Sequence, residues 1–277
     1  MNKQAIWALA VKDMRAVTSS VQIWLPMVIL PVVFCLLMPL GLVLSLRFLS
    51  LDALGDIQAL LQTMEDLPAG PMRASIMQWE SLEQRLLYFT AVYIMTPLFL
   101  LIPMMVSSII AANSFVGEKE GRTLESLLYT PIDLVSLFVG KVLSALLPAV
   151  IVTFGCAVLY SLTINLAGAP LMGRWILPQW NWIVMIVYVV PSLSLGAILV
   201  NVAISARVKG FQEAYQMGVM VILPVLALFV GQTTGVLLFS IPAMFVVGTL
   251  VLLISYWGVR RLARSFDRNR LFASQVR

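Results

Sequence analysis

Histidine is absent from the 277 residues. Without an imidazole this chain alone builds no His-ligated metal or haem centre, and no Ser-His or Cys-His catalytic pair. Cysteine is scarce. Cys35 and Cys156 each sit inside an apolar run, make no disulfide framework, and read as small buried hydrophobes. Charge is thin as well, at 11% of residues, against about 25% in a soluble domain. Apolar residues fill the place, at 61% hydrophobic with a mean hydropathy of +0.97. One globular core cannot hide that much apolar surface. A soluble enzyme, a disordered regulator and a fibrous protein are excluded, and a polytopic membrane protein remains.

A bilayer-crossing helix needs about 20 mostly apolar residues. Six runs qualify: Trp24–Leu46, Tyr88–Ala112, Val142–Leu166, Trp182–Ser205, Gln216–Gly231 and Val236–Trp257. The first is too long for a signal-peptide core, lacks a small-x-small cleavage site, and is read as retained. The fifth and sixth are parted only by Gln232-Thr233-Thr234-Gly235. The expected fold is therefore all-α membrane, with six transmembrane helices in a single domain over residues 1–277. Of the 18 Lys and Arg, 14 fall on one side: Lys3, Lys12, Arg15, Lys119, Arg122, Lys141, Arg207, Lys209, Arg260, Arg261, Arg264, Arg268, Arg270 and Arg277. Arg47, Arg73, Arg85 and Arg174 fall on the other. The positive-inside rule then puts both termini in the cytoplasm and explains the net charge of +5 without nucleic acid.

The spans carry almost no charge. Lys141 stands at a cytoplasmic entrance, where snorkelling of its stem is the expectation. Ion-coupled carriers and pumps place ionisable groups within the membrane, so a self-powered carrier is disfavoured. Nine of the 14 prolines fall in the spans, which points to bent helices around a cavity or a moving seam. Tyr93, Thr96, Asn165, Asn201 and Gln216 are the candidates for a substrate path, with interhelical hydrogen bonding as the competing role for such groups. Among the 15 methionines, Met104 and Met105 are candidates for a soft cavity wall, with plain packing as the favoured role.

Outside the spans, residues 1–17 form an amphipathic helix on a 100° projection. Ile6, Trp7, Ala10, Val11, Met14 and Val17 share one face, with Gln4, Lys12, Asp13 and Arg15 on the other. The external connection 47–87 reads as two short amphipathic helices parted by Pro68-Ala69-Gly70-Pro71. Leu54, Ile57, Leu60, Leu61 and Met64 line the first, and Ile76, Trp79, Leu82 and Leu86 the second. Residues 258–277 are a basic cytoplasmic tail. The cytoplasmic connection 113–133 is punctuated by Gly117 and Gly121. Thr123 caps a short helix whose Leu124, Leu127 and Leu128 form one apolar stripe, ended by Pro131. Such a helix buries its stripe on the bundle, on the membrane, or in a groove of a partner.

The run GEKEGRTLESLLYTPI, with Val139-Gly140-Lys141 opening the next span, resembles the signature of ABC-2-type exporter permeases. The Gly121-Arg122 order departs slightly from the usual form. VKGFQEAYQ ahead of Ile222-Leu223-Pro224 is similar to that family's entrance to the fifth span. The resemblance extends over nearly the whole chain. It implies a transmembrane permease subunit of an ATP-driven exporter, paired with a second permease chain and resting on separate cytoplasmic ATPase subunits. Residues 1–17 become its interface helix. Glu118, Glu120, Gly121, Thr123, Leu124 and Glu125 become its coupling element, bounded by Gly117 and carrying Leu127 and Leu128. Arg207, Lys209 and Glu213 are placed near the same partner. The cargo is expected to be amphiphilic or lipid-like, moved outward across a prokaryotic inner membrane, with membrane lipid as a further partner.

The residues agree on the energy source. The one Gly-Lys, Gly140-Lys141, precedes Val142 and has no glycine five positions before it, so it is no phosphate loop. No cofactor is expected on this chain; ATP and Mg²⁺ are expected on the partner. Two other readings compete: a non-transporting scaffold or sensor, and an intramembrane enzyme built on Lys141 and Ser144.

Overall fold

The computed structural model describes residues 3–48, 58–117, 134–205, 208, 213, 216–218, 220–233 and 240–265, and every described element is helical. Among the described residues, six helices are long and apolar enough to cross a membrane: Trp24–Phe48, Leu82–Phe115, Ser136–Met172, Trp180–Ser205, Gln216–Thr233 and Ile241–Arg260, here spans 1 to 6. An additional helix, α1 (Lys3–Ser19), precedes them. Span 2 is the hub. Its most apolar window is 89% buried by protein, against 17% for span 1 and 17% for span 6, so those two present their apolar residues outward.

Spans 2 and 3 exceed the predicted runs at both ends. Span 2 begins at Leu82 rather than Tyr88, because Ser81 and Gln84 close a capping box and Gln84 Nε2 reaches the Leu171 carbonyl at 2.8 Å. Polar residues that find such partners need no aqueous loop. Leu82 and Leu86 therefore belong to span 2 and not to an outer helix. The two short helices between spans 1 and 2 are Gln58–Glu65 and Pro71–Met77. Ile76 is fully buried, and Met64, Leu67 and Trp79 are nearly so, which seats this connection into the end of the bundle. Thr63 Oγ1 donates to the Thr233 carbonyl at 2.9 Å, and the Arg174 guanidinium lies 4.2 Å from the Trp79 ring centroid.

Three of the span prolines share a mark. Pro39, Pro97 and Pro191 lack the N–H that would bond four residues back, at Cys35, Tyr93 and Val187. Each of those residues sits in a π-helical turn, within Val33–Leu37, Thr90–Ile94 and Met185–Val189. Widening the turn moves the carbonyl clear of the proline ring. A fourth π-turn, Asn113–Gly117, ends span 2.

Glycines let helices meet closely. A Cβ on Gly196 would stand 2.8 Å from Val251 Cγ1, and one on Gly248 would stand 2.6 Å from the Tyr188 ring. Spans 4 and 6 pack together through these two points.

Candidate functional site

At the basic end of the bundle, α1 lies against the start of span 3. Its buried residues are Ile6, Leu9, Ala10, Asp13 and Val17, spaced three and four apart. The face expected from the sequence is thereby corrected. Trp7 is 58% exposed, and Asp13 belongs to the buried stripe. The wheel centred the face on apolar residues, whereas packing centred it on a glycine and a lysine of span 3. Gly140 has no Cβ where one would stand 2.9 Å from Leu9 Cδ2 and 3.1 Å from the Ile6 carbonyl oxygen. That gap is what permits the contact.

One residue on, Lys141 is 1% exposed. The snorkelling expected of it does not occur, because a carboxylate and a carbonyl are supplied inside the protein. Its ammonium donates to the Ser114 carbonyl and, at 3.2 Å, to Ser114 Oγ, and stands 3.8 Å from Asp13 Oδ2. Ser114 Oγ donates in turn to Asp13 Oδ2. Lys12, half in solvent, approaches Asp13 Oδ1 at 4.0 Å. The Phe115 ring closes the site, 5.2 Å from the ammonium. Three elements thus meet at one desolvated point: α1, the π-turn that ends span 2, and the first turns of span 3. Ser144 Oγ donates to the Lys141 backbone carbonyl at 2.7 Å while the ammonium points to Ser114, so no Ser-Lys nucleophile is assembled.

This cluster brackets residues 118–133, which lie outside the described residues, as do Glu118, Glu120, Gly121, Thr123, Leu124, Glu125, Leu127, Leu128, Arg207 and Lys209. Gly117 closes the π-turn of span 2. Glu213 is exposed.

The substrate-path candidates do not converge. Asn165 holds the turn after span 3: its Oδ1 accepts from Ile176 N at 2.9 Å and Leu177 N at 3.2 Å, and its Nδ2 donates to the Leu177 carbonyl at 2.7 Å. Tyr93 lies in the Thr90–Ile94 π-turn of span 2, and Thr96 follows it by two residues. The Tyr93 hydroxyl pairs with Ser75 Oγ at 2.8 Å, and Thr96 Oγ1 donates to the Val92 carbonyl at 2.7 Å. Asn201 Nδ2 joins Ser108 Oγ at 3.0 Å, and its Oδ1 would meet a Cβ on Gly218 at 2.6 Å. Gln216 is exposed at the start of span 5.

Sequence reading missed the hub that Tyr93 and Thr96 belong to, built on the Thr90–Ile94 π-turn. The π-turn frees carbonyls that other spans satisfy. Ala91 O accepts from Tyr160 at 2.9 Å, Val92 O from Asn181 Nδ2 and Trp182 Nε1 at 3.0 Å each, and Tyr93 O from Gln232 at 2.8 Å. Tyr160 and Trp182 stack at 4.8 Å with planes 8° apart, and Phe99 meets Trp182 edge-on at 5.0 Å. The available signal was Pro97, whose missing N–H requires that Tyr93 O find another donor. In the half of the membrane nearer Lys141, a cavity of about 620 Å³ opens among spans 2, 4, 5 and 6. Met104 lines it with Gly196, Val225 and Val251, and among the described residues Ser255 is the polar side chain on its wall.

The model of the family described as ABC-2 family transporter protein matches residues 7–256. No curated protein and no solved structure matches the chain. The match runs from within α1 to within span 6, and so takes in the six apolar helices and the cluster at their basic end: the chain belongs to the ABC-2 transporter family, as an integral, multi-pass permease subunit.

Proposed function

We propose that this permease is the driven half of an ATP-powered exporter, moving an amphiphilic or lipid-like substrate out of the cytoplasm. The observation that carries the reading is the buried cluster of Asp13, Ser114 and Lys141. It joins the end of span 2 to the opening turns of span 3, the two elements that flank residues 118–133, as suits a segment that receives force and passes it to both spans. Family membership supports the rest. Separate ATPase subunits bind ATP and Mg²⁺, and the chain works as a dimer with a like or related permease. Gly117, Glu118, Glu120, Gly121, Thr123, Leu124, Glu125, Leu127 and Leu128 form the element that docks on the ATPase, and Arg207, Lys209 and Glu213 lie beside it. Both termini face the cytoplasm of a prokaryotic inner membrane, in line with the charge asymmetry.

Purification at native expression is expected to bring down an ABC ATPase. Leu124→Asp or Leu127→Asp is expected to abolish ATP-dependent transport while the chain still inserts. Absence of any ATPase from the purified wild type, or full transport in both variants, refutes the reading.

A further inference from the structure

We infer that Asp13, Ser114 and Lys141 are positioning residues that make α1 part of the moving machinery, a yoke that forces spans 2 and 3 to turn together when residues 118–133 are displaced. The inference rests on the proposed role of residues 118–133 as the coupling element.

A lysine six residues into a span has an easy alternative, which is to extend its stem to the headgroup layer. Here the ammonium is turned inward and is 1% exposed, with Asp13 5% exposed beside it. A buried ion pair is weak support for stability, because desolvation offsets its attraction; its better-attested use is to fix one arrangement over others. The arrangement fixed here is specific. Ser114 belongs to the last turn of span 2, Lys141 to the opening of span 3, and Asp13 to neither. Ser114 touches both charged partners, accepting from the ammonium and donating to the carboxylate. Gly140 brings the α1 backbone itself into contact one residue before the lysine. Movement of either span at this end must carry α1 or break the cluster. Spans 2 and 3 also pack directly and meet at this end through the Phe115 and Phe138 rings, 6.1 Å apart; what the cluster adds is the polar link from the end of span 2 to α1, which makes the three elements one unit.

The test uses the permease in complex with its co-purified ATPase. Spin labels go on Leu166→Cys in span 3 and Ile241→Cys in span 6, both exposed and at the end of the bundle far from Lys141. Their separation is measured without nucleotide and with vanadate-trapped ATP. The double variant D13N/K141M removes both charges of the buried pair. It is expected to retain the ATPase and ATP turnover but to lose the nucleotide-driven change in distance. The reversed pair D13K/K141D is expected to restore that change, which a purely structural contribution would not require. Should D13N/K141M fail to fold, the near-isosteric D13N alone carries the test, with the same loss expected. A distance change of wild-type size in D13N/K141M, or in D13N where that is the variant measured, overturns the yoke. A wild-type chain with no ATPase, or with no nucleotide-driven change, fails at the earlier step and takes both proposals down.

Discussion

At the scale of single residues, the polar groups inside this bundle act on backbone. Asn165 spends both ends of its amide on the turn at Ile176 and Leu177. Asn165→Leu is expected to leave two N–H groups and a carbonyl unpaired, at about 1–3 kcal/mol for each buried group. Thermal unfolding in detergent should fall accordingly, and Asn165→Asp, which keeps both acceptor contacts, should fall less; equal melting temperatures for wild type and Asn165→Leu would refute this. The charged pair behaves differently. Lys141→Met takes the buried cation from Asp13 and leaves it the half-exposed Lys12 at 4.0 Å, and removing one partner of a buried pair costs about 3–5 kcal/mol. Adding Asp13→Asn should recover much of that loss, so a double-mutant cycle on melting temperature should show strong coupling. Additive losses would contradict it. The sequence made the residue types visible and the partners invisible. Hydropathy weighs Lys141 as a charge near a boundary, but nothing near it in the chain announces a carboxylate on α1.

At the scale of elements, close approach and freed carbonyls decide how helices meet. Gly140→Ala leaves Leu9 Cδ2 free to swing aside, but the Ile6 carbonyl at 3.1 Å is backbone and must shift. Overpacking of about 1–3 kcal/mol is expected, read as earlier protease cleavage within residues 3–19. Gly140→Val should detach α1 further, and unchanged cleavage in both variants would remove Gly140 from the account. In span 4, Tyr188 is held by Thr249 at 2.7 Å and by Phe245 at 5.2 Å between centroids. Gly248→Val would drive a side chain into that ring and should separate spans 4 and 6, measured as loss of an engineered disulfide between them. Helix α1 was legible as a helix but not in its facing, because a wheel ranks faces by apolar content and Asp13 lowered the rank of the face that is buried. The π-turns followed from the prolines only in outline: a missing N–H says that a carbonyl is freed, not which span will supply the donor.

At the scale of the molecule, six crossings were plain in the chain because the bilayer imposes a length and an apolar composition that few other structures share. The bounds of spans 2 and 3 were less plain, since Gln84 and Lys141 lie inside helices by virtue of partners supplied elsewhere. Family membership likewise rested on contiguous residues, whereas the site that joins the elements flanking residues 118–133 is assembled from three distant parts of the chain. The π-turns carry one more consequence for the whole bundle. A π-turn holds about one residue more than an α-turn, and at 3.6 residues per turn one residue is about 100° of azimuth. Spans 1, 2 and 4 therefore each contain a phase slip at residues 33–37, 90–94 and 185–189. A scanning mutagenesis pattern plotted on one continuous wheel would superpose two different faces of the same helix. Read as two half-helices with separate phases, the same data would sort lipid-facing positions from protein-facing ones.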